Sequence, residues 1–115
     1  MSVIIYHNPR CSKSRQTLAL IEQQGVTPEI ILYLQNPPGA DELDRILTLL
    51  DMEPRALMRK REAPYKELGL DNPDLERSAL IQAMVDNPVL IERPIVLAGG
   101  KAALGRPPEN VLDIL

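Results

Sequence analysis

The sequence has a single cysteine, Cys11, among its 115 residues. One cysteine excludes a disulfide within the chain, a CxxC dithiol and a cysteine-based zinc cluster. Phenylalanine and tryptophan are also absent, so leucine, isoleucine and valine must form the hydrophobic core. A chain of this length supports one core, and we therefore expect a single domain over residues 1–115.

Other absences narrow the function. The formal net charge is −3, which favours neither nucleic acid nor an anionic membrane as partner. No stretch approaches the roughly 18 apolar residues of a membrane helix, and the first residues lack the basic start of a signal peptide. No nucleotide-binding fingerprint or metal-ligand cluster occurs. We expect a cytoplasmic protein without a metal or a bound cofactor.

The apolar pattern of the first third predicts a βαβ unit. Val3–Tyr6 is a short β-branched run typical of a buried strand. A helix is expected from about Ser12 to Gln24, where Gly25 supplies a stop. Glu29–Leu34 has the pattern of a second strand, which this connection would place parallel to the first.

Residues from about 36 to 88 predict a helical insertion rather than a second sheet. Apolar residues at i, i+3, i+4 and i+7 indicate an amphipathic helix: Leu43, Ile46, Leu47 and Leu50. Shorter helical segments are expected over residues 54–61, 64–69 and 74–85.

The last third predicts a hairpin and a final helix. Ile95–Ala98 and Ala102–Leu104 flank the turn dipeptide Gly99-Gly100. Pro107-Pro108 then opens the last helix, because proline fits a first helical turn. The order βαβ, helices, ββα predicts an α/β thioredoxin-like fold with a mixed four-stranded sheet.

Cys11 lies where the first strand has ended and a helix begins. Free N–H groups and the helix dipole at that position favour a thiolate, which is the nucleophilic form of cysteine. Arg10, Lys13 and Arg15 add positive charge nearby, and these charges would be costly beside a buried structural thiol. The segment therefore favours a reactive cysteine over a small core residue.

Two neighbours could act on this sulfur. The Ser14 hydroxyl could donate a hydrogen bond to the thiolate, and His7 could pair with it; each could equally be an ordinary structural residue. Because Ser14 occupies the place of a resolving cysteine, a covalent intermediate on Cys11 must be resolved by a thiol from outside the chain.

Three arginines are candidates for binding an anion. Arg93 and Arg106 bracket the predicted hairpin, and Arg59 follows a short insert helix. Arginine binds tetrahedral oxyanions through two parallel hydrogen bonds, although each residue alone could equally be a solvated surface arginine. Pro94 precedes the third strand and is a candidate cis-proline.

Six segments together resemble the glutaredoxin-dependent arsenate reductase family, and the resemblance runs from residue 3 to 115: Tyr6-His7-Asn8-Pro9-x-Cys11-x-x-Ser14-Arg15, Arg55-Ala56-Leu57-x-Arg59, Pro64-Tyr65-x-Glu67-Leu68-Gly69-Leu70, Asn87-Pro88, Glu92-Arg93-Pro94-Ile95-Val96 and Gly105-Arg106-Pro107. The wider family also contains thiol-sensing transcriptional regulators. Small residues stand beside the cysteine in typical members, whereas this chain has Arg10, Ser12 and Lys13. The chain therefore looks closest to a sister branch of arsenate reductase-like proteins.

The resemblance implies that Cys11 attacks arsenate and forms a thiol–arsenate ester. Glutathione, a co-substrate, would then attack this ester and release arsenite, and glutaredoxin would reduce the resulting mixed disulfide. It also implies the roles of the other site residues: Arg59, Arg93 and Arg106 would hold the oxyanion, His7 and Ser14 would keep Cys11 ionised, and Pro94 would be the cis-proline.

Three functions are compatible with these features. The first is an arsenate reductase acting as a monomer with glutathione and glutaredoxin as partners. The second is a glutathione-linked thiol reductase of another oxyanion or of protein mixed disulfides. The third is a non-enzymatic thiol-based adaptor or transcriptional regulator, which has no need for an oxyanion clamp.

Overall fold

The computed structural model describes residues 2–115 and contains four strands in that part of the chain: β1 (Val3–His7), β2 (Glu29–Leu32), β3 (Ile95–Ala98) and β4 (Lys101–Leu104). They form one sheet in the order β2-β1-β3-β4. β1 is parallel to β2 and antiparallel to β3, and β3 is antiparallel to β4. The predicted α/β class with a mixed four-stranded thioredoxin-like sheet is therefore confirmed.

The register of this sheet determines which loops meet at its ends. Tyr6 in β1 lies opposite Ile95 at the start of β3, and Ile95 lies opposite Leu104 at the end of β4. The residues that follow β1, precede β3 and follow β4 consequently emerge at one end of the sheet.

The hairpin between β3 and β4 has the turn that its two glycines predict. Gly99 and Gly100 have φ angles of 56° and 76°, in the left-handed region that side chains with a Cβ rarely adopt. Two consecutive residues of positive φ give a turn whose twist matches that of the strands.

The chain divides into two compact units. The first contains the residues up to Asn36 together with Arg93–Leu115, and the second is Pro37–Glu92. All four described strands belong to the first unit. The insertion predicted over about 36–88 corresponds in sequence to most of the second.

The first unit has an aliphatic core on one face of its sheet. Helix α1 (Ser12–Gln23) and a 3₁₀ helix (Pro108–Ile114) supply the covering residues. The buried members of this core come from β1, α1, β3 and the 3₁₀ helix: Val3, Ile5, Ile21, Val96, Ala98 and Val111. An aliphatic core without phenylalanine or tryptophan is what the composition predicts.

Three details differ from the sequence interpretation. β2 ends at Leu32 rather than Leu34, because the N–H groups of Gln35 and Asn36 both donate to the Leu32 carbonyl and close a turn. The final helix is a 3₁₀ helix. The buried face of α1 is largely polar, since Ser14 and Thr17 are buried there beside Ile21.

The second unit contains three α-helices and two short 3₁₀ helices: α2 (Ala40–Leu50), α3 (Ala63–Glu67), α4 (Arg77–Asp86), Pro54–Leu57 and Pro88–Leu90. Its buried side chains include two aliphatic sets on the packed helices α2 and α4: Leu43, Ile46, Leu47, Leu80, Ile81 and Met84. This confirms the amphipathic pattern of α2. No helix within residues 2–115 has the length and apolar character needed to span a membrane.

Gly105 lies in a tight contact, from which we predict that Gly105→Ala destabilises the protein. A Cβ at this position would lie 2.5 Å from Thr17 Oγ1 and 2.7 Å from Pro94 Cγ, and overpacking of this kind costs roughly 1–3 kcal/mol. Urea denaturation measures the free energy of unfolding. Gly39→Ala is the control, because nothing lies within 4 Å of that position. Equal losses in the two variants would contradict the close packing inferred at Gly105.

Candidate active site

The loop between β1 and α1 holds Cys11 in a defined position. Cys11 is the N-cap of α1, and its N–H donates to the Asn8 carbonyl at 3.0 Å. The Asn8 side-chain oxygen accepts the Arg10 N–H at 3.0 Å, and Arg15 Nη1 donates to the Pro9 carbonyl at 2.9 Å. Side chains at both ends of the loop therefore fix its backbone.

The pKa of the Cys11 thiol lies below its ordinary value. Burial is the largest influence and raises the pKa, but the backbone N–H of Ser14, the charge of Arg93, the backbone N–H of Lys13 and the charge of Arg106 together outweigh it. The side chain is 9% exposed, so little water reaches the sulfur. Amide groups at the helix start and two guanidinium groups replace that solvation.

The sheet topology brings these two arginines to the sulfur. Arg93 comes two residues before Ile95 and Arg106 two residues after Leu104, and both strand ends lie beside the end of β1. Arg106 Nη2 lies 3.8 Å from Cys11 Sγ, and Arg106 Nε donates to the Arg93 carbonyl at 2.8 Å. The peptide bonds Arg93–Pro94 and Arg106–Pro107 are both cis.

The positive charge near the sulfur has a different source from the one inferred from sequence. Arg10, Lys13 and Arg15 are exposed, and Lys13 acts on the thiol through its backbone N–H rather than its ammonium group. The charges that lower the pKa of Cys11 belong to Arg93 and Arg106. Charged residues near Cys11 in sequence point outward from α1, whereas the distant arginines reach the sulfur.

His7 and Ser14 form a buried polar pair beside this loop. His7 Nδ1 lies 2.6 Å from Ser14 Oγ, which also accepts the Asn8 N–H at 3.0 Å. Burial, with a smaller contribution from the charge of Arg15, lowers the pKa of His7. The imidazole is therefore neutral at pH 7. The described contacts of the Ser14 hydroxyl go to His7 and Asn8, and Ser14 acts on the sulfur through its backbone N–H.

Sequence reasoning missed two residues of this site. Asn8 joins the Cys11 N–H, the Arg10 N–H and the Ser14 hydroxyl; an Asn-Pro dipeptide at a strand end was the available signal. Thr17 is fully buried and its hydroxyl donates to the Lys13 carbonyl at 2.8 Å. A threonine one turn after Ser14 could have indicated that the buried face of α1 is polar.

Arg59 belongs to the second unit and is described there. It follows the 3₁₀ helix Pro54–Leu57, and its N–H donates to the Leu90 carbonyl at 2.7 Å. Its guanidinium forms ion pairs with Glu62 at 3.2 Å and with Glu92 at 3.8 Å. The sequence pattern gave no indication of either carboxylate partner.

The first unit thus presents a thiol of lowered pKa with hydrogen-bond donors and positive charge around it. Such a group can attack an electrophilic centre whose oxygens carry negative charge, since the arginines stabilise that charge. No group of three or more histidine, cysteine or acidic side chains able to hold a metal lies within residues 2–115. Fold and site together define a thioredoxin-like protein built around a single thiol.

Comparison with known proteins identifies the family within this class. The model of the ArsC family matches residues 6–114, and the chain belongs to the ArsC family. This confirms the relationship that the sequence motifs indicated.

Three relatives illustrate the similarity. The protein named "Uncharacterized protein YfgD" from Escherichia coli strain K12 is 59% identical over 98% of this chain and 96% of its own length. An arsenate reductase from Haemophilus influenzae is 53% identical over the full length of both chains. The solved structure of an arsenate reductase from Vibrio cholerae superposes with a TM-score of 0.96 and is 55% identical, covering 100% of this chain and 98% of its own.

We predict that removal of the Arg106 charge raises the pKa of Cys11. The guanidinium favours the thiolate, so Arg106→Ala should shift the midpoint of the alkylation rate to higher pH, while the wild-type midpoint lies below the value of about 8.5 for free cysteine. The rate of reaction with iodoacetamide is measured from pH 4 to pH 10. Arg10→Ala is the matched control, and a shift as large as that of Arg106→Ala would contradict the assignment of the charge.

For His7 we predict a loss of stability in weak acid. Its pKa in the folded protein is lowered from the ordinary 6.5, so the unfolded chain binds a proton more readily. The stabilisation is fully present above about pH 6.5 and is lost as the pH falls towards the folded pKa. Urea denaturation at several pH values measures this slope, which His7→Gln should reduce.

The same titration can be followed by NMR, because the chain has one histidine. Arg15→Gln should raise the pKa of the imidazole, since the charge of Arg15 lowers it. A wild-type imidazole that titrates at or above 6.5 would contradict the buried neutral His7.

Proposed function

We propose that the chain reduces arsenate to arsenite through a covalent intermediate on Cys11. The thiolate attacks arsenic(V), water leaves and a thiol–arsenate ester forms. The thiol of glutathione then attacks the Cys11 sulfur, and arsenic leaves as arsenite with the electron pair of the S–As bond. The Cys11 and glutathione sulfurs supply the two electrons and become a mixed disulfide, which glutaredoxin reduces.

One observation carries this proposal: the guanidinium of Arg106 lies 3.8 Å from a sulfur whose pKa is lowered. A thiolate and an arsenate anion repel one another, so attack requires positive charge between them. Arg93 and Arg106 meet that requirement from the hairpin ends, and we propose Arg59 as the third arginine of the clamp. The name arsenate reductase carried by relatives such as the Haemophilus influenzae protein supports the same substrate.

The remaining site residues have supporting roles in this proposal. His7 and Ser14 hold the loop that presents Cys11, through the contact between their side chains and the Asn8 N–H. Pro94 follows Arg93 and helps to position it. We propose that the protein works as a monomer in the cytoplasm, where glutathione keeps thiols reduced, with glutathione as co-substrate and no bound cofactor.

We predict that Cys11→Ser abolishes arsenate-dependent oxidation of NADPH. The assay couples the protein to glutathione, glutathione reductase and glutaredoxin, and absorbance at 340 nm reports turnover. The serine hydroxyl is not ionised at pH 7, so activity should fall to the background without protein. Ser12→Ala, next to the nucleophile, is the control and should retain activity.

The outcomes separate the candidate functions. Turnover that survives in Cys11→Ser would end the nucleophile assignment. Turnover of the wild type without glutathione or without glutaredoxin would contradict the proposed route of reduction. No turnover of arsenate by the wild type would favour another oxyanion, a protein mixed disulfide or a non-enzymatic adaptor.

A further inference from the structure

Arg59 is held in the second unit by backbone contacts on both sides. Its N–H donates to the Leu90 carbonyl, and the N–H of Glu92 donates to the Leu57 carbonyl at 2.8 Å. Met58 and Ile91 form a β-bridge between the same two segments. The N–H of Glu62 donates to the Arg59 carbonyl at 3.1 Å, which closes a turn. The backbone therefore places two carboxylates beside one guanidinium.

The two carboxylates contact different nitrogens of that guanidinium. Glu62 Oε1 lies 3.2 Å from Nη1, and Glu92 Oε1 lies 3.8 Å from Nε. One positive charge thus faces two negative charges. Neither ion pair involves Nη2, which is directed away from both carboxylate contacts in the bonding geometry of a guanidinium.

This arrangement lines a cavity of about 330 Å³ formed by Met58–Glu62 and Glu92. The side chains of Arg59, Glu62 and Glu92 are 30%, 29% and 24% exposed. Solvent screens charges weakly at such half-buried positions. An oxyanion that approaches Arg59 here meets repulsion from Glu62 and Glu92 as well as attraction from the guanidinium.

We propose that Glu62 and Glu92 are counter-charges that limit the affinity of Arg59 for tetrahedral oxyanions. An anion binds Arg59 only in competition with these carboxylates, so weakly bound anions do not hold the site. Glu62 and Glu92 are then determinants of anion affinity and specificity rather than simple surface partners. This role rests on the proposed function of Arg59 in binding the oxyanion.

The ion pair between Glu42 and Arg45 provides a matched comparison. It has the same i, i+3 spacing and nearly the same length, 3.1 Å, but its side chains are 54% and 39% exposed and only one carboxylate is involved. Exposed pairs of this kind contribute little. A counter-charge effect should therefore be found at Arg59 and not at Arg45.

We predict that Glu62→Gln binds inorganic phosphate about two- to fivefold more tightly than the wild type, the factor expected for one weakly screened ion pair. Glutamine keeps an oxygen that accepts the Arg59 hydrogen bond but removes the negative charge. Phosphate is a tetrahedral oxyanion that thiols do not reduce, so isothermal titration calorimetry on the full chain gives its Kd directly. Glu92→Gln should act in the same direction, and the double variant should bind most tightly.

Two further variants make the test specific. Glu42→Gln should leave the Kd unchanged, and adding Arg59→Ala to Glu62→Gln should remove the gain. If the wild type binds phosphate too weakly to measure, measurable binding by Glu62→Gln supports the counter-charge. A Kd for Glu62→Gln equal to that of Glu42→Gln, a gain that persists without Arg59, or no binding by any variant overturns it.

The readout separates this inference from the proposed reaction. Absent arsenate turnover together with tighter phosphate binding by Glu62→Gln contradicts the reaction alone. Normal turnover together with an unchanged phosphate Kd contradicts the counter-charge alone.

Discussion

The site depends on keeping a sulfur ionised in a place that water hardly reaches. Burial disfavours the thiolate of Cys11, and without compensation the pKa of a buried thiol rises. Two groups supply that compensation: backbone N–H groups at the start of α1, and guanidinium groups from the far end of the chain. The helix contribution is local, whereas the arginine contribution requires the complete sheet, so the chemistry of Cys11 is coupled to the folding of the first unit.

The antiparallel placement of β3 beside β1 is the feature that makes this possible. Had β3 run parallel to β1, its first residues would lie at the opposite end of the sheet from Cys11. Because Tyr6 pairs with Ile95 and Ile95 with Leu104, the residues just outside the hairpin on both sides, Arg93 and Arg106, are delivered to one place. The short turn at Gly99 and Gly100 keeps the two strands in this register. Gly105 lets the chain pass close to Thr17 before it reaches Arg106.

The sequence predicted those features that depend on local pattern. The β-branched run at Val3, the glycine pair of the hairpin and the aliphatic spacing of α2 each have a short-range signature, and the structure confirms the elements they indicate. The location of Cys11 at a helix start follows from the same kind of reasoning. The source of the positive charge does not, because Arg106 is distant from Cys11 in sequence and only the strand pairing reveals their contact. Pairing of Arg59 with Glu92 was hidden for the same reason.

Net charge places a further constraint on how an anion reaches this protein. The chain carries a formal charge of −3, so the field of the whole molecule repels an oxyanion at long range, and attraction must come from cations within about one Debye length, roughly 8 Å at physiological ionic strength. Affinity is then set by a few short-range contacts. Under that condition a single carboxylate beside an arginine changes a large share of the local potential. The balance between Arg59 and its two glutamates is therefore a point where small substitutions should alter anion affinity without altering the fold.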